Sequence, residues 1–171
     1  MLDYTQPTKF IVNSAEYSDE YNVPVLTAGQ TFILGYTNEM ENIYNASKNN
    51  AVIIFDDFTT ATKWVDFPFK VKSSAMKILT AKNGANLRYV YYAMQCIKYD
   101  TVEHSRQWIS KFSEIKIPMP PVEVQQWIVE VLDKFDKLIN DLSSGLPAEI
   151  ETRKKQYEYY RDKLLYFKEI N

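Results

Sequence analysis

Short apolar runs alternate with polar clusters over the first 116 residues of the chain. The runs are PTKFIVNS, VPVLT, FILGY, AVIIF, KWVDFPFKVK and AMKILTA, and each contains β-branched or aromatic residues. Clusters such as TNEMEN, NASKNN, DDFTTAT and AKNGAN lie between them. Because β-branched and aromatic residues favour strands and such polar clusters favour turns, this pattern predicts a series of short strands.

One amphipathic helix is predicted after the last strand, over NLRYVYYAMQCIKY. Its apolar residues recur at intervals of three and four: Leu87, Val90, Tyr91, Met94 and Ile97. Asn83 or Asn86 stands before them as a candidate N-cap. Strands followed by a helix predict an α+β fold, in which residues 1–117 form a globular mixed α/β domain.

Two longer helices are predicted in residues 118–171, which begin in the sequence IPMPP. Prolines disfavour helix before them and favour the first turn after them, so we expect the first helix to run from Val122 to Leu142. SSGLP ends that helix and Pro147 begins the next, which predicts an antiparallel helical hairpin.

The predicted hairpin has an apolar stripe in its first helix and heptad spacing in its second. These patterns predict a coiled-coil contact with a partner through the following residues: Ile128, Leu132, Phe135, Ile139, Leu142, Ile150, Tyr157, Tyr160, Leu164 and Phe167. The alternative is a hairpin that folds back on its own domain.

Composition narrows the class of protein. Hydrophobic residues make up 46% of the chain and aromatic residues 15%, which predicts a folded protein. No apolar run reaches the roughly 20 residues of a membrane span, and MLDYTQPTKF does not resemble a secretory signal. A lone cysteine, Cys96, forms no disulfide within the chain, which favours a reducing compartment. We expect a cytoplasmic protein without a membrane partner.

The same inventory leaves little material for catalysis. One histidine, His104, and one cysteine are too few for a zinc site, and no phosphate-binding or nucleophile motif is present. We therefore expect no cofactor, no metal and no catalytic residue. A metal-dependent nuclease is the alternative, since Asp56 and Asp57 follow a strand and Glu114-Ile-Lys116 has an E-x-K form. Adjacent strand residues point to opposite faces, which weakens that alternative.

The segment IPMPPVEVQQWIVEVLDKFDKLINDLSSGLPAEIETRKKQYEYYRDKLLYF carries a family resemblance. It resembles the conserved region of the specificity subunit of type I restriction-modification enzymes, with I-P-x-P-P-x-x-x-Q, then G-L-P-A-E-I, then K-Q-Y-x-Y-Y-R-D-K-L-L. Upstream, QPTKFIV, PVLTAGQTFILGYT and VIIFDDFTTATKWVDFPFKVKSSAMKIL resemble one class of target recognition domain in that family. Val124 departs from the family pattern, which commonly has Glu before the motif Gln.

The resemblance implies a non-catalytic DNA-recognition subunit. In such enzymes the conserved helices separate two recognition domains and dock methyltransferase subunits, while partner subunits carry methyl transfer and cleavage. A full specificity subunit has two recognition domains and two helical regions, so one of each implies a half-subunit that pairs as a homodimer or with another half. A helix of roughly 22 residues is about 33 Å long, close to one turn of DNA, which fits an interrupted two-part target.

Charge distribution indicates where DNA would bind. The formal net charge is −2, but residues 59–88 contain six basic residues and one acid. Lys and Arg neutralise phosphates, and Ser, Thr, Asn and Gln contact phosphates or base edges. The predicted DNA-contacting residues are Thr59, Thr60, Thr62, Lys63, Lys70, Lys72, Ser73, Ser74, Lys77, Asn83, Arg88, Arg106 and Gln107. The alternative for these lysines is a solvated strand face. The alternative for the whole chain is a protein-binding oligomerisation module without specific DNA binding.

Overall fold

A computed structural model of the chain describes residues 1–28, 31–82, 84–99, 106–108, 111–138, 149, 155–156 and 159. The chain divides into two compact units, Met1–Gln126 and Trp127–Asn171. The strands are β1 (Leu2–Thr5), β2 (Val23–Leu26), β3 (Ile33–Thr37), β4 (Val52–Asp56), β5 (Thr62–Val65), β6 (Lys70–Val71) and β7 (Met76–Ala81). Helix α1 spans Leu87–Gln95, residues 122–138 are helical (α2), and Pro7–Phe10 and Phe112–Glu114 form 3₁₀ turns.

The strands form two sheets. The first has the order β1-β7-β4-β5, with each pair antiparallel, and the second has the order β3-β2-β6, with β2 parallel to β6. Apolar side chains of both sheets pack into one core, to which Ile54 and Ile78 contribute from the first sheet and Leu26 and Val71 from the second. Because side chains alternate along a strand, Phe55 lies on the opposite face from Ile54.

Helix α1 packs against β4 and β5 of the first sheet. The Asn86 side-chain oxygen accepts a hydrogen bond from the backbone N–H of Tyr89 at 3.1 Å, which caps the helix and confirms Asn86 as its N-cap. The Tyr89 hydroxyl donates to the carbonyl of Pro118 at 2.8 Å. This bond fixes the proline-rich segment on the first unit, next to α1.

The motif Gln of the C-terminal region also has a structural role. Gln125 is buried, and its Nε2 donates to the carbonyl of Pro120 at 2.8 Å. The backbone N–H of Gln125 donates to the carbonyl of Pro121 at 3.0 Å. These two bonds satisfy the carbonyl groups of Pro120 and Pro121, where the proline segment enters α2.

The α+β fold predicted from the sequence is confirmed, with three differences. PTKFIVNS is not a strand, because Pro7 fixes its own φ and starts a 3₁₀ turn, and the first strand is Leu2–Thr5. KWVDFPFKVK divides into two strands in different sheets, because Pro68 cannot continue the hydrogen-bond ladder of β5. Helix α1 ends at Gln95, four residues before the predicted end of the pattern.

The predicted helix after the proline segment is confirmed for residues 122–138. The first compact unit extends to Gln126, so it includes the proline segment; the functional boundary predicted at residue 117 stays a prediction. Within the described ranges, no helix is both long and apolar enough to cross a membrane.

Candidate nucleic-acid interface

Three loops meet at one end of the first unit. Strand β4 ends at Asp56 opposite the start of β7 at Met76, while β2 and β6 run parallel and both end beside Lys72. The backbone N–H of Lys72 donates to the carbonyl of Leu26 at 2.8 Å, which ties the β6–β7 loop to the end of β2. We call the described residues of these loops, 27–28, 31–32, 57–61 and 72–75, the loop end.

The β4–β5 loop is held in shape by Asp56. Its Oδ1 accepts from the backbone N–H of Phe58 at 2.9 Å, and its Oδ2 accepts from the Thr59 hydroxyl at 2.6 Å. The backbone N–H of Thr60 donates to the Asp56 carbonyl at 2.9 Å. Thr60 has a φ of 61°, a conformation that costs a β-branched residue about 1–3 kcal/mol. The loop therefore depends on these hydrogen bonds for its shape.

Two exposed lysines lie at or beside the loop end. Lys63 is exposed on β5, where it lines a small cleft with Thr27 and Asp56. Lys72 is exposed, and its Nζ donates to the Tyr17 hydroxyl at 3.2 Å. The loop end and its margin thus bring exposed lysines from both sheets to the same end of the unit.

Arg106 lies against the β6–β7 loop. Its side chain is exposed, and Nη2 donates to Ser74 Oγ at 3.2 Å. Ser73 Oγ accepts from the backbone N–H of Ala75 at 3.3 Å, which orders the same loop. The structure therefore joins Arg106 to the loop end, although it lies more than 30 residues further along the chain.

Asp57 anchors the segment that follows Arg106. The backbone N–H of Gln107 donates to the Asp57 carbonyl at 2.8 Å, and that of Trp108 donates to Asp57 Oδ1 at 2.9 Å. Lys77 Nζ lies 2.8 Å from Asp57 Oδ2, and both side chains are 1% exposed. The Trp108 ring packs 5.0 Å from that of Phe55 on the same face of the sheet.

Three residues predicted to face DNA are buried instead: Lys70, Lys77 and Gln107. Lys70 Nζ lies 2.7 Å from Glu39 Oε2, and the Gln107 side-chain oxygen accepts from the Tyr99 hydroxyl at 2.9 Å. The predicted surface position is wrong for these three, because the direction of each side chain places its polar group against an internal partner.

The Lys70–Glu39 pair joins separate parts of the unit. The hydrogen bond from Lys70, supported by the backbone N–H of Ser14, lowers the pKa of Glu39 to about 2. Glu39 Oε1 accepts from the backbone N–H groups of Asn13 and Ser14 at 2.8 and 2.9 Å, and Lys70 Nζ also donates to the Glu41 carbonyl at 2.8 Å. This pair stabilises the fold, and Lys70, whose side chain is 1% exposed, presents no charge at the surface.

Arg88 lies at the opposite end of the first sheet, next to the start of β4 and the end of β7. Its guanidinium is 4.8 Å from the ring centroids of Trp64 and Tyr92 and 5.2 Å from that of Tyr91. Its Nη2 donates to the Tyr92 hydroxyl at 3.0 Å. Arg88 is therefore not brought together with the loop end, and Asn83 lies outside the described residues.

The carboxylates of the nuclease alternative have separate partners. Asp56 binds its own loop and Asp57 pairs with Lys77, while Glu114 lies in a 3₁₀ turn further along the chain. In the described part of the chain, no group of three His, Cys, Asp or Glu residues could hold a metal ion. Among the described residues, these three carboxylates are therefore not assembled into a metal site.

The predicted partner helix is described only in its first part. On α2, Ile128 and Leu132 are partly buried and Phe135 is 57% exposed. Trp127 is 65% exposed and lies outside the stripe identified from the sequence. The remaining predicted residues lie outside the described ones: Ile139, Leu142, Ile150, Tyr157, Tyr160, Leu164 and Phe167.

Sequence reasoning also missed the structural role of Asp57. A signal was present, since Lys77 stands inside the apolar strand MKILTA, and a lysine buried in a strand requires a partner. The adjacent aspartates at the end of AVIIF were instead considered as metal ligands. The strand pairing that places Asp57 beside Lys77 is not visible from local pattern.

Comparison with known proteins identifies the family. The chain matches the type I restriction modification DNA specificity domain over residues 5–152. It is 54% identical to the type I restriction enzyme EcoR124I/EcoR124II specificity subunit of Escherichia coli, over 97% of this chain and 43% of that protein. It is 29% identical to the type I restriction enzyme MpnII specificity subunit of Mycoplasma pneumoniae, over 88% of this chain and 38% of that protein.

A solved structure shares the fold. The crystal structure of the type I restriction-modification system S subunit from M. genitalium matches with a TM-score of 0.64 and 20% identity, over 94% of this chain and 42% of that one. The chain thus spans less than half the length of these relatives. The resemblance found in the sequence is confirmed: the chain belongs to the family of type I restriction modification DNA specificity domains.

Proposed function

We propose that this chain recognises DNA for a type I restriction-modification enzyme and that the loop end, with Lys63 and Arg106, is its DNA-contacting surface. Methyl transfer and cleavage belong to partner subunits in this proposal. Its relatives in Escherichia coli and Mycoplasma pneumoniae are specificity subunits, which supports the assignment.

The observation that carries the proposal is the gathering of Lys63, Lys72 and Arg106 at one end of the unit. Exposed cations suit the phosphates of a duplex, and the hydroxyls of Thr60, Thr62, Ser73 and Ser74 suit phosphates or base edges. Loops set on a rigid sheet are a common place for binding residues. Lys70, Lys77 and Gln107 are excluded from this surface by burial.

We further propose that the chain pairs through its C-terminal helices, either with a second copy of itself or with a different half-subunit. The same helices would dock a methyltransferase subunit. The exposed apolar side chains of Trp127, Phe135 and Leu138 on α2 support a helix partner. A symmetric pair would read a palindromic target interrupted by a spacer.

Methylation mapping tests the proposal. The chain is expressed with the methyltransferase subunit of the same system, and methylated adenines are mapped across the host DNA. A symmetric interrupted motif that disappears without the chain is expected. An asymmetric motif would contradict the homodimer but support pairing with a different half. No motif and no co-purification with the methyltransferase subunit would overturn the proposal.

Salt dependence separates DNA recognition from the alternative of a protein-binding oligomerisation module. Binding through several phosphates weakens steeply as salt increases, because each contact releases condensed counterions. We expect the affinity of the chain for duplex DNA to fall by orders of magnitude between low and moderate salt. An absence of duplex binding at low salt, with oligomers still present, would favour the alternative.

A further inference from the structure

We infer that Asp57 is a positioning residue for base readout, and that it holds Arg106 where Arg106 determines specificity at one guanine of the target. This inference rests on the proposed function, because it assigns roles within the same DNA-contacting surface. It separates residues that set affinity from residues that set specificity.

Asp57 joins the sheet to the segment after Arg106 through both carboxylate oxygens. Oδ2 lies 2.8 Å from Lys77 Nζ on β7, and Oδ1 accepts from the Trp108 N–H at 2.9 Å. The Asp57 backbone carbonyl accepts from the N–H of Gln107, the residue before Trp108. Two hydrogen bonds of this buried residue therefore hold residues 107 and 108, and its contact with Lys77 ties Asp57 to the sheet.

The burial of this pair requires an explanation. Both side chains are 1% exposed, and well-packed apolar residues often stabilise a core at least as well as a buried ion pair does. An ion pair with directional hydrogen bonds differs from apolar packing in that it defines the geometry of its partners. At Asp57 that partner is the backbone that carries Arg106.

Arg106 is consequently held through its backbone and through its side chain. Its backbone precedes the anchored Gln107, and its guanidinium donates to Ser74 Oγ at 3.2 Å in the β6–β7 loop. The side chain is exposed at the loop end. A planar guanidinium offers two parallel donors, which match the O6 and N7 acceptors of guanine in the major groove.

The lysines of the same surface differ in chemistry. Lys63 and Lys72 carry compact charges on long stems, which suit phosphates but provide no bidentate pattern for a base. We therefore expect Lys63 and Lys72 to contribute affinity for any sequence, and Arg106 to contribute discrimination at one position.

Selection from a randomised duplex pool tests the inference. The full chain is incubated with random double-stranded DNA, bound duplexes are sequenced, and the motif is verified by competition between duplexes that differ at one base pair. Arg106→Ala should lose roughly 5- to 150-fold of the discrimination at a single guanine, the range for one bidentate contact. Lys63→Ala should instead weaken binding to every duplex equally and leave the discrimination between bases unchanged.

Two double variants test the role of Asp57. Asp57→Leu with Lys77→Met removes the anchor without leaving a buried charge, and it should lose discrimination at the same guanine as Arg106→Ala. Asp57→Asn with Lys77→Gln retains an acceptor for the Trp108 N–H, so this variant should discriminate at that guanine as the wild type does. A thermal melt of each variant shows whether it is folded. Ser74→Ala is a second test of how Arg106 is held, because it removes the hydroxyl that the Arg106 guanidinium contacts and leaves the core intact.

The outcomes are distinguishable. If the wild-type chain neither binds duplex DNA nor enriches a motif, the proposed function fails. If the wild type enriches a motif and Arg106→Ala retains the same discrimination, the inference fails and the function stands. If Arg106→Ala loses discrimination while Ser74→Ala and a folded Asp57→Leu/Lys77→Met variant retain it, the positioning role is overturned.

Discussion

The loop end and the opposite end of the first sheet both carry cations from the same basic stretch, residues 59–88, but they use them differently. Lys72 at the loop end and Lys63 beside it are exposed near hydroxyl-bearing residues. At the opposite end Arg88 is held by three aromatic rings and a tyrosine hydroxyl. Net charge along a sequence therefore does not locate a binding surface, because packing decides which cations remain available to a ligand.

Lys77→Ala should give the largest effect, because it leaves the Asp57 carboxylate buried without its cation. We expect a loss of about 3–5 kcal/mol in the free energy of unfolding, measured by urea denaturation. Lys63→Ala is the matched control, since Lys63 is exposed and should change stability by less than about 0.5 kcal/mol. Equal effects of the two changes would contradict the division between core and surface lysines.

Glu39→Gln should give the next largest effect, about 1.5–3 kcal/mol at neutral pH, because it weakens a charged hydrogen bond to Lys70. The pKa of Glu39 is lowered from 4.5 to about 2, so the unfolded state binds the proton more readily. The stabilisation is therefore fully present above pH 4.5 and is lost as the pH falls from 4.5 to about 2. Urea denaturation of both proteins across this range should show the difference disappear; a constant difference would contradict the assignment.

Arg88→Ala should cost roughly 1 kcal/mol of stability, because it removes a cation enclosed by aromatic rings. Its effect on the salt dependence of DNA binding should be small if the loop end is the DNA surface. Lys48→Ala is the control, since Lys48 is exposed and lines the same surface cleft as Arg88. A large loss of DNA affinity with Arg88→Ala would indicate that DNA binds at the opposite end of the sheet and not at the loop end.

Lys63→Ala should have the smallest effect on folding and a defined effect on binding. Loss of one phosphate contact should reduce the slope of log affinity against log salt by about 1. Fluorescence anisotropy with a labelled duplex at several salt concentrations measures this slope. An unchanged slope would remove Lys63 from the phosphate-contacting set.

Local sequence pattern predicted most of the fold. The strand in AVIIF and the helix capped by Asn86 were found because periodicity and capping chemistry are local. Strand β1 was missed, since Leu2–Thr5 is ordered by pairing with β7, whose residues are Met76–Ala81. Pairing between distant segments leaves little trace in either segment alone.

The candidate site was predicted less completely, for a related reason. The basic stretch identified Lys63 and Lys72 correctly as surface residues, but it could not separate them from Lys70 and Lys77. Burial of Lys70 depends on Glu39, and burial of Lys77 depends on Asp57, so each outcome was decided by a residue elsewhere in the chain. The C-terminal coiled coil stays a prediction.

Backbone hydrogen bonds tie the loop end together: the N–H of Lys72 to Leu26, that of Asp57 to Ala75, and that of Gln107 to Asp57. Main-chain bonds do not depend on the identity of the side chains that project between them. Apart from Thr59, whose hydroxyl binds Asp56, the exposed positions of this surface can therefore be exchanged over generations without loss of these main-chain bonds. Selection for a new DNA target would then act on a few outward side chains, largely separate from selection for a folded protein.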